Sequence, residues 1–163
     1  MRVGIGYDIH PLINGKQLML GGVEIPYSMG LEGHSDGDVL LHAIIDALLG
    51  ASACGDIGKH FPPENPEYKD IASINLLLRT RDLLTANGWQ TGNIDASVVA
   101  RSPKLQPYIE PMRIKIAGAL GITPDRVSVK AKTANELNAA GKGEGIEAFA
   151  VATVFQEGKN ENI

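Results

Sequence analysis

The sequence predicts an α+β fold in which one mixed β-sheet carries helices packed on one face. Several segments alternate apolar and polar side chains with the two-residue period of strands. Segments with helical spacing lie between them, and the one over residues 36–53 is apolar nearly all round. The last predicted strand, over residues 146–155, is apolar on both sides. The second face of the sheet therefore also needs cover, which we expect to come from self-association of subunits through their sheets.

The first strand spans residues 2–10 and ends in a pair of potential metal ligands. Large side chains fall on one side of the strand, whereas Gly4 and Gly6 precede Asp8 and His10 on the other. A carboxylate and an imidazole therefore project together behind two glycines. Such a pair can bind one metal ion if another ligand comes from elsewhere, or it can cap a turn or form an ion pair.

A hairpin segment over residues 17–27 follows, with two adjacent glycines at its turn or bulge. A polar loop then leads into the first helix, predicted over residues 36–53. Ser35 or Asp36 is expected to cap the N-terminus of this helix, because short polar side chains accept hydrogen bonds from its first amides.

Three ionisable residues recur at four-residue spacing on this helix: Asp38, His42 and Asp46. Burying them is costly unless they are paired or bound to a metal. His42 is the natural third ligand for Asp8 and His10, and the three leave one tetrahedral position open, as in catalytic zinc sites. Asp46 could accept the free ring N–H of His42 from the second shell of such a site, or face a helix neighbour. The alternative is a metal-free core histidine hydrogen-bonded to Asp46.

The rest of the chain continues the alternation of helices and strands and ends in a flexible tail. A single domain over residues 1–157 is expected, followed by the tail over residues 158–163. The remaining elements are a Gly/Pro-rich loop over residues 55–69, a helix over 70–87, a strand over 93–100, a helix from 107 or 108 to 120, a strand over 126–133, a loop over 134–145 and the last strand.

Composition limits the classes of partner. The 163 residues carry a net charge of −4 and no basic cluster, which argues against binding to nucleic acid. The lone Cys54 excludes an internal disulfide and fits a reducing compartment. No secretory signal precedes the first strand and no apolar run is long enough to span a bilayer. We therefore expect a cytoplasmic protein with no membrane partner.

Several other polar residues suit a phosphate or sugar ligand. His34 lies just before the first helix, whose N-terminal amides favour an anion, although such a histidine alone is typical of an exposed loop. Asp56 could bind sugar hydroxyls or form an Asx-turn. Lys104, Lys132 and Thr133 supply cationic and hydroxyl groups that suit phosphate, although a strand-end lysine is usually solvated.

Six short motifs occur along the chain in a specific order. They are Gly6-Tyr-Asp-Ile-His10, Gly33-His-Ser-Asp-Gly-Asp38, Asp46-Ala-Leu-Leu-Gly50, Gly55-Asp-Ile-Gly58, Phe61-Pro62 and Gly143-Glu-Gly145. In this order they resemble the 2-C-methyl-D-erythritol 2,4-cyclodiphosphate synthase family, and the resemblance spans residue 1 to about residue 155. Asp-x-His combined with His-Ser-Asp-Gly-Asp is its most specific part.

The resemblance implies a lyase of the non-mevalonate pathway to isoprenoid precursors. Such an enzyme converts 4-diphosphocytidyl-2-C-methyl-D-erythritol 2-phosphate into the cyclic diphosphate and CMP. The family forms homotrimers whose sheets face a central channel and whose active sites lie between neighbouring subunits. Asp8, His10 and His42 would hold a divalent metal, typically zinc, and magnesium or manganese would accompany the substrate diphosphate.

The resemblance also implies substrate contacts along the whole chain. His34 would stabilise the transition state, and Thr133 would polarise the diphosphate. Other implied contacts, grouped by the part of the substrate, are Ser35 and Lys132 at the phosphates, Asp56, Ile57, Gly58, Phe61, Pro62, Pro63, Glu64 and Asn65 at the methylerythritol, and Ala100, Arg101, Ser102, Pro103, Lys104, Leu105 and Gln106 at the cytidine. Further substrate-binding positions are Asp8, Ile9, His10, Ala134, Asn135 and Lys142.

This chain departs from the family pattern in the loop after the predicted strand 126–133. Asn135 stands where the family usually has a glutamate that binds magnesium, and Glu136 follows it. Either Glu136 takes that role after a one-residue shift, or Asn135 serves through its side-chain oxygen. Ala139 and Lys142 replace an aromatic residue and an arginine near the channel, and lysine cannot make the planar bidentate contact of arginine.

Two other functions compete with this interpretation. The first is a zinc phosphoesterase that uses metal-bound water, for which the chain offers His34 and Asp56 but no clear water-activating glutamate. The second is a trimeric metal- or nucleotide-binding module whose changes at residues 135–142 mark lost activity. The products formed from the diphosphocytidyl substrate separate the three.

Overall fold

The computed structural model describes residues 1–156, so the predicted tail lies outside the described residues. The strands are β1 (Arg2–Asn14), β2 (Leu18–Leu20), β3 (Val23–Ile25), β4 (Met29–Leu31), β5 (Trp89–Val99), β6 (Val127–Lys132) and β7 (Gly145–Gln156). The helices are α1 (Val39–Ala51), α2 (Ile57–His60), α3 (Ser73–Ala86), α4 (Ile109–Leu120) and α5 (Ala139–Lys142).

Five strands form one mixed sheet in the order β4-β1-β7-β5-β6. β5 and β6 run parallel, whereas the other neighbouring pairs are antiparallel. Helix α1 packs on β1 and β7, α3 packs against α1 and β5, and α4 packs against α3 and β6. The predicted α+β class, with one mixed sheet and helices on one face, is confirmed.

The main differences from the predicted elements concern ends and short segments. β1 continues four residues past its predicted end and pairs with β4 as well as β7. β2 and β3 form the predicted hairpin, but it is a separate two-stranded sheet. The short helices α2 and α5 lie in segments predicted as loops, because each is only four residues long and carries too little periodicity to be recognised.

The predicted N-cap of α1 was wrong, because Asp38 and not Ser35 or Asp36 caps this helix. The Asp38 side chain accepts a hydrogen bond from the Leu41 backbone N–H at 3.0 Å. The preceding Gly37 has φ of +77°, a left-handed conformation that separates residues 35–36 from the helix.

The same buried carboxylate joins the hairpin to α1. Asp38 also accepts hydrogen bonds from the backbone N–H groups of Gly21 at 2.9 Å and Gly22 at 2.7 Å, at the turn between β2 and β3. Burial and the nearby charge of Asp36 raise the pKa of Asp38, while these backbone donors oppose the shift. The hairpin pairs with no strand of the main sheet, so these hydrogen bonds to Asp38 help to hold it against α1.

Strand β1 lies directly on the backbone of α1. A Cβ atom added at Gly4 would lie 2.1 Å from the Ala47 carbonyl oxygen, and one added at Gly6 would lie 1.9 Å from that of Ala43. Any side chain at either position would force the strand and the helix apart. The two glycines that precede Asp8 in the sequence therefore set the distance between β1 and the helix that carries His42.

The opposite face of the sheet is apolar and open in the single chain. Val3 is 64% exposed and Ile5 is 73% exposed on β1, and Phe149 and Val151 on β7 are also exposed. We call this surface the open sheet face; its remaining large side chains are Tyr7 and Ile9. Within residues 1–156, no helix has both the length and the apolar character needed to cross a membrane.

The contact between β1 and α1 predicts that Gly6→Ala destabilises the fold strongly. Overpacking alone costs about 1–3 kcal/mol, and here the added carbon meets a helix carbonyl, so we expect a loss of at least about 3 kcal/mol in the free energy of unfolding. Urea unfolding followed by circular dichroism measures it. The control is Gly118→Ala, in α4, where an added Cβ meets no atom within 4 Å and should stabilise by up to about 1 kcal/mol. Equal effects of the two substitutions would contradict this interpretation.

Candidate metal centre

Asp8, His10 and His42 converge on one point between β1 and α1. Their ligand atoms all lie within 4.8 Å of one another. The Asp8 Oδ2 atom lies 2.8 Å from His10 Nε2 and 2.9 Å from His42 Nδ1, and the two nitrogens are 3.2 Å apart. Among the described residues, no other group of three or more His, Cys, Asp or Glu side chains is arranged in this way.

The backbone fixes which nitrogen of His10 faces this point. The Nδ1 atom of His10 makes a short hydrogen bond to the carbonyl oxygen of Glu32, which can only accept. Nδ1 therefore carries the proton, and the lone pair of Nε2 is directed toward Asp8 and His42. A histidine that binds a metal through one ring nitrogen commonly donates the other N–H in this manner.

The second nitrogen of His42 faces two buried hydroxyl groups. His42 Nε2 lies 3.0 Å from Ser35 Oγ and 3.0 Å from Ser73 Oγ. The predicted hydrogen bond from His42 to Asp46 is not made. Asp46 lies one helical turn further along and instead accepts the backbone N–H of Ile57 at 2.7 Å, although it lines the same cavity.

The charges at this point favour a cation. Burial raises the pKa of Asp8, but hydrogen bonds and charge from His10 and His42 outweigh it and hold the pKa at about 2. Burial lowers the pKa of His10, but the hydrogen bond and charge of Asp8 outweigh it and raise that pKa overall. The carboxylate is therefore ionised across the physiological range and lies between two imidazoles.

The donor set fits a divalent metal ion. Two imidazole nitrogens and one carboxylate oxygen are ligands that zinc takes in catalytic sites, where one position stays open. Zinc–nitrogen bonds of about 2.0–2.1 Å in a tetrahedral site place the two nitrogens about 3.3 Å apart. The separation of 3.2 Å between His10 Nε2 and His42 Nδ1 is close to that value. Other divalent metals bind similar ligand sets, so the geometry supports a metal site without choosing the metal.

A cavity of about 230 Å³ opens beside the three ligands. His34 and Ser35 border it on one side, and the residues of α2 and the following loop border it on the other. The predicted residues that line it, besides the ligands, are His34, Ser35, Asp46, Ile57, Gly58, Phe61 and Pro63. Tyr68 and Leu76 also line it and were not predicted.

The other residues predicted near this cavity do not line it. Asp56 caps α2 by accepting the Lys59 backbone N–H at 2.9 Å, which is a helix N-cap and not the Asx-turn offered as an alternative. Asn65 accepts the Glu67 backbone N–H at 3.0 Å, and Pro62 and Glu64 lie between α2 and that turn. Ile9 directs its side chain to the open sheet face, while its backbone N–H donates to Asp8 Oδ1 at 2.9 Å.

A second cavity, of about 400 Å³, lies at the ends of β5 and β6. The loop after β5 supplies one wall and the residues around Thr133 supply the other. The predicted residues that line it are Ala100, Arg101, Lys104, Leu105, Gln106, Lys132 and Thr133. Ser102 and Pro103 belong to the same loop without lining the cavity. The residues predicted for a cytidine and those predicted for a diphosphate therefore do come together.

Strand register places the two cavities at the same end of the strands. His10 pairs with Ile146, Val99 pairs with the adjacent Glu147, and Lys132 pairs with Val99. In the sheet order, β1 and β6 are three positions apart, or about 14 Å at the usual spacing of about 4.8 Å between strands. One chain thus carries the metal centre and the second cavity at the same end of the sheet, with β7 and β5 between them. We call the second cavity the basic cavity, because Arg101, Lys104 and Lys132 line it.

The segment over residues 134–142, which includes α5, contacts Arg101 of the second cavity. Thr133 donates a hydrogen bond to the side-chain oxygen of Asn135 at 3.4 Å, and Glu136 forms an ion pair with Arg101 at 3.2 Å. Asn135 and Glu136 both have positive φ values, of 48° and 64°, a conformation that L-residues rarely adopt in succession. The role of Asn135 or Glu136 at a second cation stays a prediction. Ala134 begins the same segment, and Lys142 ends α5.

Sequence reasoning missed the residues that orient the ligands. Glu32 contributes only a backbone carbonyl, which no side-chain pattern reveals. Ser73 lies 31 positions from His42 and is the first residue of a separate helix. No spacing rule connects either residue to the metal centre.

Comparison with known proteins identifies relatives over nearly the whole chain. Residues 1–155 match the model of the YgbB family. A 2-C-methyl-D-erythritol 2,4-cyclodiphosphate synthase of Pelotomaculum thermopropionicum is 57% identical over 159 residues, which cover 98% of each chain. The bifunctional IspDF of Campylobacter jejuni is 38% identical with a TM-score of 0.91, over 95% of this chain and 42% of that one. The CDP complex of Plasmodium falciparum IspF is 35% identical with a TM-score of 0.82, over 95% of this chain and 96% of that one.

The geometry predicts that the purified protein binds one divalent metal ion per chain and that His42 is one of the three ligands. We expect His42→Ala to remove zinc binding, because it deletes one of three ligands, whereas His60→Ala should retain it. His60 is the matched control, since its ring bonds the Cys54 carbonyl at 2.9 Å and lies outside the ligand set. Zinc titration of metal-stripped protein against a chromophoric chelator measures the binding. A wild-type protein that takes up no divalent metal would contradict the site.

Proposed function

Because this chain belongs to the YgbB family, we propose that it forms 2-C-methyl-D-erythritol 2,4-cyclodiphosphate, the product for which its relatives are named. The substrate is 4-diphosphocytidyl-2-C-methyl-D-erythritol 2-phosphate, and the second product is CMP. The observation that carries the proposal is the convergence of Asp8, His10 and His42 beside a cavity. The basic cavity lies at the same end of the strands. These are the groups that an intramolecular phosphoryl transfer requires.

The reaction needs no nucleophile from the protein. An oxygen of the 2-phosphate attacks the β-phosphorus of the same molecule, and the bond from that phosphorus to the bridging oxygen of CMP breaks. The pair of electrons in that bond leaves with CMP. The protein must therefore hold a flexible chain in a bent conformation and compensate negative charge, which are the main demands of phosphoryl transfer.

The residues of the two cavities divide this work. Asp8, His10 and His42 would hold the metal, which when bound acts as a Lewis acid on phosphate oxygens. His34 is exposed at the border of the metal cavity and would donate to a phosphate oxygen. Gly58 and its neighbours in α2 would hold the methylerythritol. In the basic cavity, the loop over residues 100–106 would enclose the cytidine.

Lys132 and Thr133 would bind the diphosphate from the basic cavity. Both are exposed at the end of β6, so their cation and hydroxyl are available to a ligand. A magnesium or manganese ion would accompany the diphosphate, with Asn135 or Glu136 as the protein ligand. We propose zinc for the centre at Asp8, since two imidazoles and one carboxylate form a common catalytic zinc set.

We further propose that three chains associate through their open sheet faces. Exposed side chains such as Ile5 and Val151 form an apolar surface, and such a surface usually marks a contact with another protein chain. In one chain the metal centre and the diphosphate residues lie on strands about 14 Å apart. Association would bring the metal cavity of one subunit toward the basic cavity of its neighbour and complete the site.

The proposed reaction predicts CMP and a cyclic diphosphate in equal amounts from the diphosphocytidyl substrate, measured by mass spectrometry and phosphorus NMR. Lys132→Ala should lower kcat/KM at least about a hundredfold, because it removes a cation from the transferring phosphate. Lys115→Ala is the control, since Lys115 is an exposed lysine of α4 that lines neither cavity, and it should stay within about twofold. Linear phosphate products would instead assign a hydrolase, and CDP binding without turnover would assign a binding module.

The proposed assembly predicts that Ile5→Glu disrupts the trimer. A buried, unpaired carboxylate in each of three contacts would oppose association, so the molar mass measured by light scattering should fall from three chain masses to one. Ile114→Glu is the matched control, because Ile114 is 54% exposed on α4 and lies away from the open sheet face. A wild-type protein that is monomeric would overturn the assembly while leaving the metal centre intact.

A further inference from the structure

Ser73 stands out among the buried polar groups that the proposed reaction does not use. Its side chain is wholly buried at the first residue of α3. Its hydroxyl lies 3.0 Å from His42 Nε2, 3.2 Å from Ser35 Oγ and 2.5 Å from Asp36 Oδ1. The Ser73 hydroxyl thus contacts the ring nitrogen of His42 that points away from Asp8 and His10.

The carboxylate of Asp36 fixes the direction of the Ser73 hydroxyl. Asp36 accepts the Ser73 backbone N–H on Oδ2 at 3.0 Å and the Ser73 hydroxyl on Oδ1 at 2.5 Å. An ionised carboxylate has no hydrogen to give, so the single hydrogen of the hydroxyl is committed to Asp36. The lone pairs of Ser73 Oγ are left for other donors.

This direction determines the tautomer of His42. Because Ser73 Oγ offers His42 Nε2 only a lone pair, Nε2 must carry the proton and donate it. The lone pair of the imidazole is then on Nδ1, the atom that lies 2.9 Å from Asp8 Oδ2 and 3.2 Å from His10 Nε2. Ser35 alone would not decide this, since a free hydroxyl can either donate to Nε2 or accept from it.

We propose that Ser73, oriented by Asp36, is a positioning residue that holds His42 in the tautomer and ring orientation required for metal binding. The inference rests on the metal centre of the proposed function and extends it to a relay from Asp36 through Ser73 to His42. The backbone links the same segments, because the Asp36 N–H donates to the Ile71 carbonyl at 3.1 Å. The start of α3 is thereby attached to the loop that precedes α1.

The first test compares the zinc affinity of two buried hydroxyl variants. Partners that orient a ligand typically contribute 10- to 100-fold to metal affinity, so Ser73→Ala should weaken zinc binding by about that factor in chelator competition. Thr80→Val is the matched control: Thr80 is also wholly buried on α3, but it donates to the Leu76 carbonyl at 2.9 Å and not to the metal centre. Its affinity should stay within about twofold of wild type.

The outcomes separate this inference from the proposed function. Zinc binding by wild type with equal affinity in Ser73→Ala would overturn the role of Ser73 and leave the metal centre standing. No zinc binding by wild type would overturn the metal centre itself. Equal losses in Ser73→Ala and Thr80→Val would assign Ser73 a general packing role and overturn the relay.

A second measurement needs no substitution and therefore does not depend on a variant that folds. Nitrogen-15 NMR of histidine-labelled, zinc-loaded wild type identifies which ring nitrogen carries the hydrogen. We expect a protonated His42 Nε2 whose hydrogen exchanges slowly with solvent, and a metal-bound Nδ1. A protonated Nδ1, with zinc on Nε2, would contradict the relay.

Discussion

The contact between the β1 backbone and the α1 backbone is the constraint on which the rest of the molecule depends. Glycine at positions 4 and 6 leaves no side chain between strand and helix, since a Cβ at Gly6 would overlap the Ala43 carbonyl. His42 immediately precedes that alanine, and Asp8 follows two residues after that glycine. The approach of the two backbones therefore places a helix residue within bonding distance of strand residues. The metal centre is a direct result of this packing.

Local patterns in the sequence were sufficient to identify the metal ligands but not the groups that orient them. Asp8 and His10 could be recognised because they follow two glycines on one side of a strand, and His42 because a charged stripe on an apolar helix is costly. The first signal lies within one strand and the second within one helix. Ser73 and the Glu32 carbonyl are brought to the ligands by tertiary structure alone, which no single-segment pattern contains.

The same limit explains the differences in the fold. The predicted helices and strands recur with shifted ends, because hydrophobic periodicity defines the middle of an element and capping defines its ends. Asp38 illustrates this: Ser35 and Asp36 were the predicted caps, but the left-handed Gly37 separates them from the helix and Asp38 caps it instead. Sheet order follows from contacts between distant segments, so the position of β7 between β1 and β5 could not be derived from local sequence.

The buried carboxylate of Asp38 has a consequence for how the protein opens. It receives hydrogen bonds from the hairpin turn at Gly21 and Gly22 and from the first turn of α1, so the hairpin cannot detach without exposing the cap of that helix. Local opening in proteins proceeds in cooperative units, and these contacts place the hairpin and the helix in the same unit, although the hairpin pairs with no strand of the main sheet. The helix that carries His42 thus has its start protected from fraying by a hairpin that lines neither the metal cavity nor the basic cavity.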